Sequence, residues 1–176
     1  MSVRYEFRAI ADSEVESAYA VYLGVFEWLG AKGVRQWLRA LPLDTFQERE
    51  RKKELFGCFM DKRVAAVVTV ALEPSPYWPE LGGESRWWIK TLAVDRGARG
   101  AGVGTVTMRE CESLAWNAGA AEIFLDCVDV GFLPAYYAGI GYTVLSRKDI
   151  TYPSGNTFHV ALMKKKTPNS ERSASP

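Results

Sequence analysis

The sequence predicts one α/β domain with a mixed sheet, and three observations carry that reading. The apolar pattern alternates between strand and helix periods in the order β-α-α-β-β-β-α-β-α-β-β. Of the 176 residues, 48% are hydrophobic and 24% charged, a balance that suits a folded core and not a disordered chain. A glycine-rich turn, Arg96-Gly97-Ala98-Arg99-Gly100-Ala101-Gly102-Val103-Gly104-Thr105, joins an apolar strand pattern to a long helical one.

Arg4 to Ile10 alternates as a first strand. Asp12 reads as the N-cap of an amphipathic helix with Glu14 and Glu16 in its first turn and Val15, Ala18, Tyr22, Phe26 and Leu29 at helical spacing. Gly30 and Gly33 end it, Val34 to Leu41 reads as a second helical piece stopped by Pro42, and Asp44 caps a polar helix over Thr45 to Lys53. Leu55 to Met60 and Val64 to Leu72 form a hairpin around Asp61-Lys62-Arg63. The second of these strands is nearly all apolar, as a strand covered on both faces is. Glu73 to Gly83, with three prolines and two glycines, is a loop.

After the strand Trp87 to Val94 and the glycine turn comes a helix over Val103 to Ala118. Val103, Val106, Cys111, Leu114, Ala115 and Ala118 form its core face. Glu122 to Val128 is a strand, Leu133 to Ala138 a short helix stopping at Gly139 and Gly141, and Tyr142 to Thr151 with Thr157 to Lys165 a closing hairpin. A single domain is expected over residues 1–166, and the polar stretch 167–176 is expected to be a disordered tail.

Charge and cysteine content narrow the function classes. A net charge of +1, from 22 basic and 21 acidic residues, argues against a protein whose affinity comes from a basic face, so no nucleic-acid partner is expected. The chain has no apolar run near 18 residues and no apolar N-terminal segment, so neither a membrane span nor a signal peptide is expected. Cys58, Cys111 and Cys127 read as buried thiols in a reducing, cytoplasmic setting. With His159 the only histidine, the spacing supports no metal cluster.

The glycine turn allows two readings: a sharp turn that needs glycine, or a cradle for phosphate. Glycines let backbone approach a ligand, a helix N-terminus offers unpaired N–H groups, and the two arginines can pair with phosphate oxygens. The strand before and the helix after favour the cradle. The dinucleotide fingerprint fails because Thr105 stands where the third glycine belongs, and no Lys-Ser or Lys-Thr pair completes a P-loop.

What remains is Arg99-x-x-Gly102-x-Gly104, which resembles the pyrophosphate-binding motif of the GNAT family of N-acetyltransferases. A second hallmark of that family, a tyrosine followed by three residues and then Gly-Phe or Gly-Tyr, is matched by Tyr137-Ala138-Gly139-Ile140-Gly141-Tyr142. The resemblance covers roughly residues 4 to 165, and Trp28 to Trp37 is similar to the first helical region of small bacterial members. One departure stands out. Many relatives carry an asparagine between the fifth strand and the tyrosine helix, where this chain reads Asp129-Val130-Gly131-Phe132. Pro134 fits the first turn of that helix.

The resemblance implies a mixed, mostly antiparallel sheet of six or seven strands with helices on both faces. It implies transfer of an acetyl group from acetyl-CoA to an amine, without a metal. Arg99, Gly100, Ala101, Gly102, Val103, Gly104 and Thr105 would hold the pyrophosphate. Leu92, Ala93 and Val94 would pair with the pantetheine arm, the Val94 N–H facing the thioester carbonyl, and Tyr137 would be the general acid.

An amine of pKa about 10.4 is neutral in only about one molecule in a thousand at neutral pH, so a base, a water chain or a desolvating pocket is expected. Glu84, Asp126 and water stay open for that role, since Trp88 stands where some relatives place a glutamate. The acceptor is a small-molecule or protein amine, and Trp28, Trp37, Tyr77, Trp78, Trp88 and Tyr152 could line its pocket. A homodimer is left open. Two other readings stand beside this one: a non-catalytic acyl-CoA-binding module on the same fold, and a nucleotide binder using the same glycine turn.

Overall fold

The structure is a computed structural model and describes residues 4–168. Its strands are β1 (Tyr5–Ala9), β2 (Leu55–Met60), β3 (Arg63–Ala71), β4 (Arg86–Val94), β5 (Glu122–Val128), β6 (Thr143–Thr151) and β7 (Thr157–Lys166). Its α-helices are α1 (Val15–Ala31), α2 (Leu43–Arg51), α3 (Val103–Asn117) and α4 (Phe132–Gly139). The strands hydrogen-bond in the order β1-β2-β3-β4-β5-β7-β6. β4 and β5 run parallel, whereas β1–β2, β2–β3, β5–β7 and β7–β6 are antiparallel. The mixed seven-stranded sheet expected from the element order is therefore present.

The chain gathers into two compact units. One holds the residues up to Ala71 together with Ile89–Leu114, the other Leu72–Trp88 together with the residues from Ala115 onward. In the first unit, alternation along β2 and β3 separates two apolar layers. Leu55, Phe59 and Val67 pack with Val15, Ala18, Tyr22 and Leu29 of α1 and Phe46 of α2. Cys58 and Ala66 pack instead with Ala98 and with Val103 and Val106 of α3. In the second unit Trp88 stacks on Phe124 at 5.3 Å, among Trp78, Val160 and Leu162. The helix α4 packs on β5, β6 and β7.

Several local expectations are corrected. Val34 to Leu41 is a run of bends and extended backbone, not a helix. Tertiary contacts take up its backbone: the Leu41 N–H donates to the Tyr22 hydroxyl at 2.9 Å, the Tyr19 hydroxyl donates to the Leu41 carbonyl at 3.0 Å, and Trp37 sits edge-on to Tyr22. Eight residues between Gly33, at φ +73°, and Pro42 are also too few to nucleate a helix against that competition.

Asp12 opens a 3-10 turn and caps nothing; the carboxylate of Glu14 accepts the Ala11 N–H at 3.0 Å while holding Arg8. α1 continues through Gly30, and α2 starts at Leu43, directly after Pro42. The β2–β3 turn is two residues, Asp61 and Lys62, both at positive φ, and Arg63 belongs to β3. The buried positions of α3 include Thr107, Met108 and Glu112, and Ala118 is exposed beyond its end. Thr107 can be buried because its hydroxyl donates back to the Val103 carbonyl at 2.8 Å.

Thr167 is buried, and its N–H and hydroxyl both donate to the Ala121 carbonyl, so ordered contacts run past Lys166. Most of the expected tail, residues 169–176, lies outside the described residues. Cys58, Cys111 and Cys127 are buried free thiols, as expected. Burial pushes all three upward in pKa, Cys127 to about 12, which leaves them protonated and unreactive. Among the described residues no helix is long and apolar enough to cross a membrane.

Candidate functional site

The glycine turn is built by the first unit. Thr91 sits at φ +55°, a conformation that β-branched residues rarely adopt, and so breaks the regular strand just before Leu92. Leu92 is half-buried, the Ala93 side chain packs in the α1 layer and Val94 in the α3 layer. The Asp95 N–H donates to the Ala65 carbonyl at 2.8 Å, and the Asp95 carboxylate accepts the Gly97 N–H at 3.2 Å. A 3-10 turn over Arg96–Ala98 follows, and the Ala101 N–H donates to the Ala98 carbonyl at 3.2 Å. The Tyr5 hydroxyl donates to the carbonyl of Ala101. These bonds fix the approach to the helix from both sides of the turn.

Gly100 and Gly102 lie at φ +80° and +74°, where only glycine is unstrained. A Cβ built on either meets nothing within 4 Å, so the space beside this backbone is open. The Val106 N–H donates to the Gly102 carbonyl at 3.0 Å and begins the helical ladder. The N–H groups of Val103, Gly104 and Thr105 precede that bond, in the first turn, where a helix offers N–H groups no intrahelical partner. Arg99 is exposed beside them, whereas Arg96 lies 3.7 Å from the ring of Trp28 and is occupied there. An open glycine concavity, unpaired N–H groups at a helix start and one exposed guanidinium fit a pyrophosphate.

Tyr137 belongs to the second unit. Its backbone ends α4 in a Schellman motif. The Tyr142 N–H donates to the Tyr137 carbonyl and the Gly141 N–H to the Ala138 carbonyl, each at 3.1 Å, with Gly141 at φ +96°. The Tyr142 ring meets the Tyr137 ring edge-on at 6.1 Å, the apolar contact that such an end favours. The Tyr-x-x-x-Gly-Tyr spacing is thus a helix-ending device as well as a tyrosine placement. Burial, followed by the nearby Cys127, Tyr136 and Asp126, pushes the Tyr137 phenol well above its ordinary pKa. The phenol therefore holds its proton beyond the ordinary tyrosine range.

Asp126 on β5 is half-buried with one carboxylate oxygen fully covered, and its charge is felt at Tyr137, Tyr77 and Cys127. Glu84 is exposed in the turn before β4. Among the aromatics, Trp78 and Trp88 are core and the Trp88 indole donates to the Leu81 carbonyl. Tyr77 and Tyr152 join through their hydroxyls at 3.0 Å, and Tyr152 stacks on Phe158. Trp37 is a core anchor on Tyr22. His159 is an exposed residue of β7, opposite Asp149.

The family model for the acetyltransferase (GNAT) family matches residues 22–138, a stretch that contains both the glycine turn and Tyr137. The chain belongs to the GNAT family. The N-acetyltransferase YesJ of Bacillus subtilis (strain 168), itself uncharacterized, is 28% identical to this GNAT chain over 137 residues, which span 73% of this chain and 76% of YesJ. A GNAT-family acetyltransferase from Listeria monocytogenes 4b F2365 superposes with a TM-score of 0.75 at 17% identity, over 93% of this chain and 95% of the other. Salmonella typhimurium yncA, solved with its cofactor acetyl-CoA, superposes at 0.72 with 11% identity, over 98% and 97%. These two structures establish the fold.

One support of the glycine turn is visible in the sequence, and three contacts beside it and beside α4 are not. The Asp95-x-Gly97 spacing is a visible signal for a side chain that caps its own turn. Tyr5 lies 96 residues from Ala101, Trp28 is one helix and three strands away from Arg96, and Lys165 donates to Ile140 from β7. Those three pairings exist only in the folded chain and leave no periodic trace.

Proposed function

We propose that this GNAT chain transfers an acetyl group from acetyl-CoA to a primary amine of a small molecule or a protein. The observation that carries the donor assignment is the open backbone at Gly100 and Gly102, directly before the first turn of α3, where a helix leaves N–H groups free for an anion. In this reading those N–H groups and Arg99 hold the pyrophosphate, and Leu92, Ala93 and Val94 present backbone to the pantetheine arm, beyond the irregularity at Thr91. The Val94 N–H polarises the thioester carbonyl. The amine nitrogen attacks the carbonyl carbon, the C–S bond breaks, and its electron pair leaves on sulfur.

Tyr137 donates its hydroxyl hydrogen to that sulfur. Its raised pKa sharpens the role. A phenol far less acidic than a thiol of pKa about 8.5 gives up its proton uphill, so Tyr137 serves the thiolate mainly by hydrogen bonding. The nitrogen's proton passes to water or to Asp126, whose partly buried carboxylate is better placed to be selective than the exposed Glu84. The reaction uses no metal in this reading, and acetyl-CoA is the cosubstrate.

The test is thiol release from acetyl-CoA across a broad panel of primary amines, with Tyr137→Phe beside the native chain. Transfer to an amine, with kcat of Tyr137→Phe lowered about 10- to 100-fold and KM for acetyl-CoA unchanged, supports the proposal. Coenzyme A binding without release to any amine favours a non-catalytic module. A rise in melting temperature with ATP or NAD but not with acetyl-CoA overturns the donor assignment.

A further inference from the structure

We propose that Lys165 is a positioning residue for Tyr137, holding the end of α4 so that the phenol keeps one orientation. The inference rests on the reading of Tyr137 as the residue that serves the departing thiolate.

The Schellman bonds satisfy the carbonyls of Tyr137 and Ala138 but not that of Ile140, which must be satisfied from outside the helix. The Lys165 ammonium donates to it at 2.9 Å. A cation at this end also complements the negative pole of the helix. The same ammonium lies 5.6 Å from the ring centroid of Tyr142 and 5.8 Å from that of Trp116, within the range of cation–π attraction. Tyr142 is buried and holds the ring of Tyr137 edge-on. One ammonium therefore grips both handles on Tyr137: the backbone that closes its helix, and the ring that touches its ring.

The anchor itself is rigid. Lys165 stands in β7 opposite Ile123 of β5, inside the sheet and not on a loop. Its stem packs over Gly141, where a built Cβ would come within 3.2 Å of Lys165 Cε. The preceding Lys164 has a different task, an ion pair with Glu122 at 2.9 Å. The lysine run at the end of β7 is thus not one solvated patch, and its middle member reaches α4.

The experiment compares Lys165→Met, which keeps stem length and removes the charge, with Lys165→Arg, which keeps a cationic donor. Thiol release from acetyl-CoA is measured with the fastest primary amine of the panel, and with water as the acceptor. Lys165→Met should lower kcat about tenfold while KM for acetyl-CoA stays within about twofold, and Lys165→Arg should recover most of the loss. The double variant with Tyr137→Phe should be no slower than Tyr137→Phe alone, because Lys165 acts through the phenol. Losses that multiply in the double variant overturn the proposal, as does a kcat unchanged in Lys165→Met. Should circular dichroism show Lys165→Met unfolded, Lys165→Leu, which also removes both donor and charge, carries the same comparison. An unchanged kcat in Tyr137→Phe, or no thiol release by the native chain with any acceptor, defeats the Tyr137 reading instead, and this inference with it.

Discussion

At Gly102 a Cβ would meet nothing within 4 Å; at Gly141 it would come within 3.2 Å of Lys165. Both glycines sit at positive φ, +74° and +96°, and each lies where a helix meets a turn. Before α3, the left-handed backbone leaves N–H groups unpaired and space unfilled. After α4, the same backbone geometry is used up in pairing: two carbonyls accept N–H groups, and a lysine stem lies over the glycine. Openness alone does not mark a ligand site, since Gly33, Gly119 and Gly155 are equally open at positive φ. What sets Gly102 apart is the helix start beside it, and what sets Gly141 apart is the Lys165 stem over it.

The largest expected effect breaks the first half of that comparison. The Cβ of Gly102→Val meets nothing within 4 Å, so folding should survive with a loss of about 1–2 kcal/mol from the disfavoured φ. Coenzyme A affinity should fall at least about 100-fold, since two or more charge-assisted N–H contacts of about 1.5–3 kcal/mol each are lost. Urea titration and calorimetric binding measure the two quantities separately. Coenzyme A affinity retained in a folded Gly102→Val protein would show that the open backbone is not the pyrophosphate site.

Gly141→Ala tests the other half, with a smaller effect of opposite character. The new Cβ presses on the Lys165 stem and the residue keeps a strained φ, so stability should drop by about 1–2 kcal/mol. The rate of thiol release should fall severalfold while coenzyme A still binds normally. A loss of coenzyme A binding here, with kcat intact, would reverse the assignments of the two glycines.

The same contrast explains what could be read in advance. β3 is legible because its apolar run is nearly unbroken, and α3 because apolar residues recur at helical spacing. The glycines of both motifs are legible because backbone conformation is a local property. Val34 to Leu41 misleads because its helical spacing competes with two tyrosine hydroxyls from α1 that take the backbone of Leu41. Asp12 misleads because Glu14, two residues on, already bonds both Ala11 and Arg8. Lys165 and Tyr5 contact partners 25 and 96 residues away. Nothing in the spacing of either residue announces such a contact, and only the sheet register brings them to it.

Ionisation gives the smallest and most regional effects. Burial holds the Tyr137 phenol above its ordinary range, so its loss of a proton should contribute no falling limb to the rate up to about pH 10. The rate should rise with pH as the acceptor amine deprotonates. In the first unit Arg8 holds the Glu14 carboxyl down to about 2 through bonds of 2.7 and 2.8 Å. A carboxyl whose folded pKa is depressed adds stability above its unfolded value of about 4.3. That stability is lost as the pH falls from there toward about 2. Both side chains are partly exposed, at 37% and 27%, so solvent screening limits the pair to about 1 kcal/mol. Glu14→Gln should therefore lower stability slightly at pH 7 and flatten its acid dependence between about pH 5 and 2. Hydrogen exchange should show the loss around β1 and the start of α1, with protection at α4 unchanged. Equal loss at α4 would mean that the effect of removing this ion pair is not local.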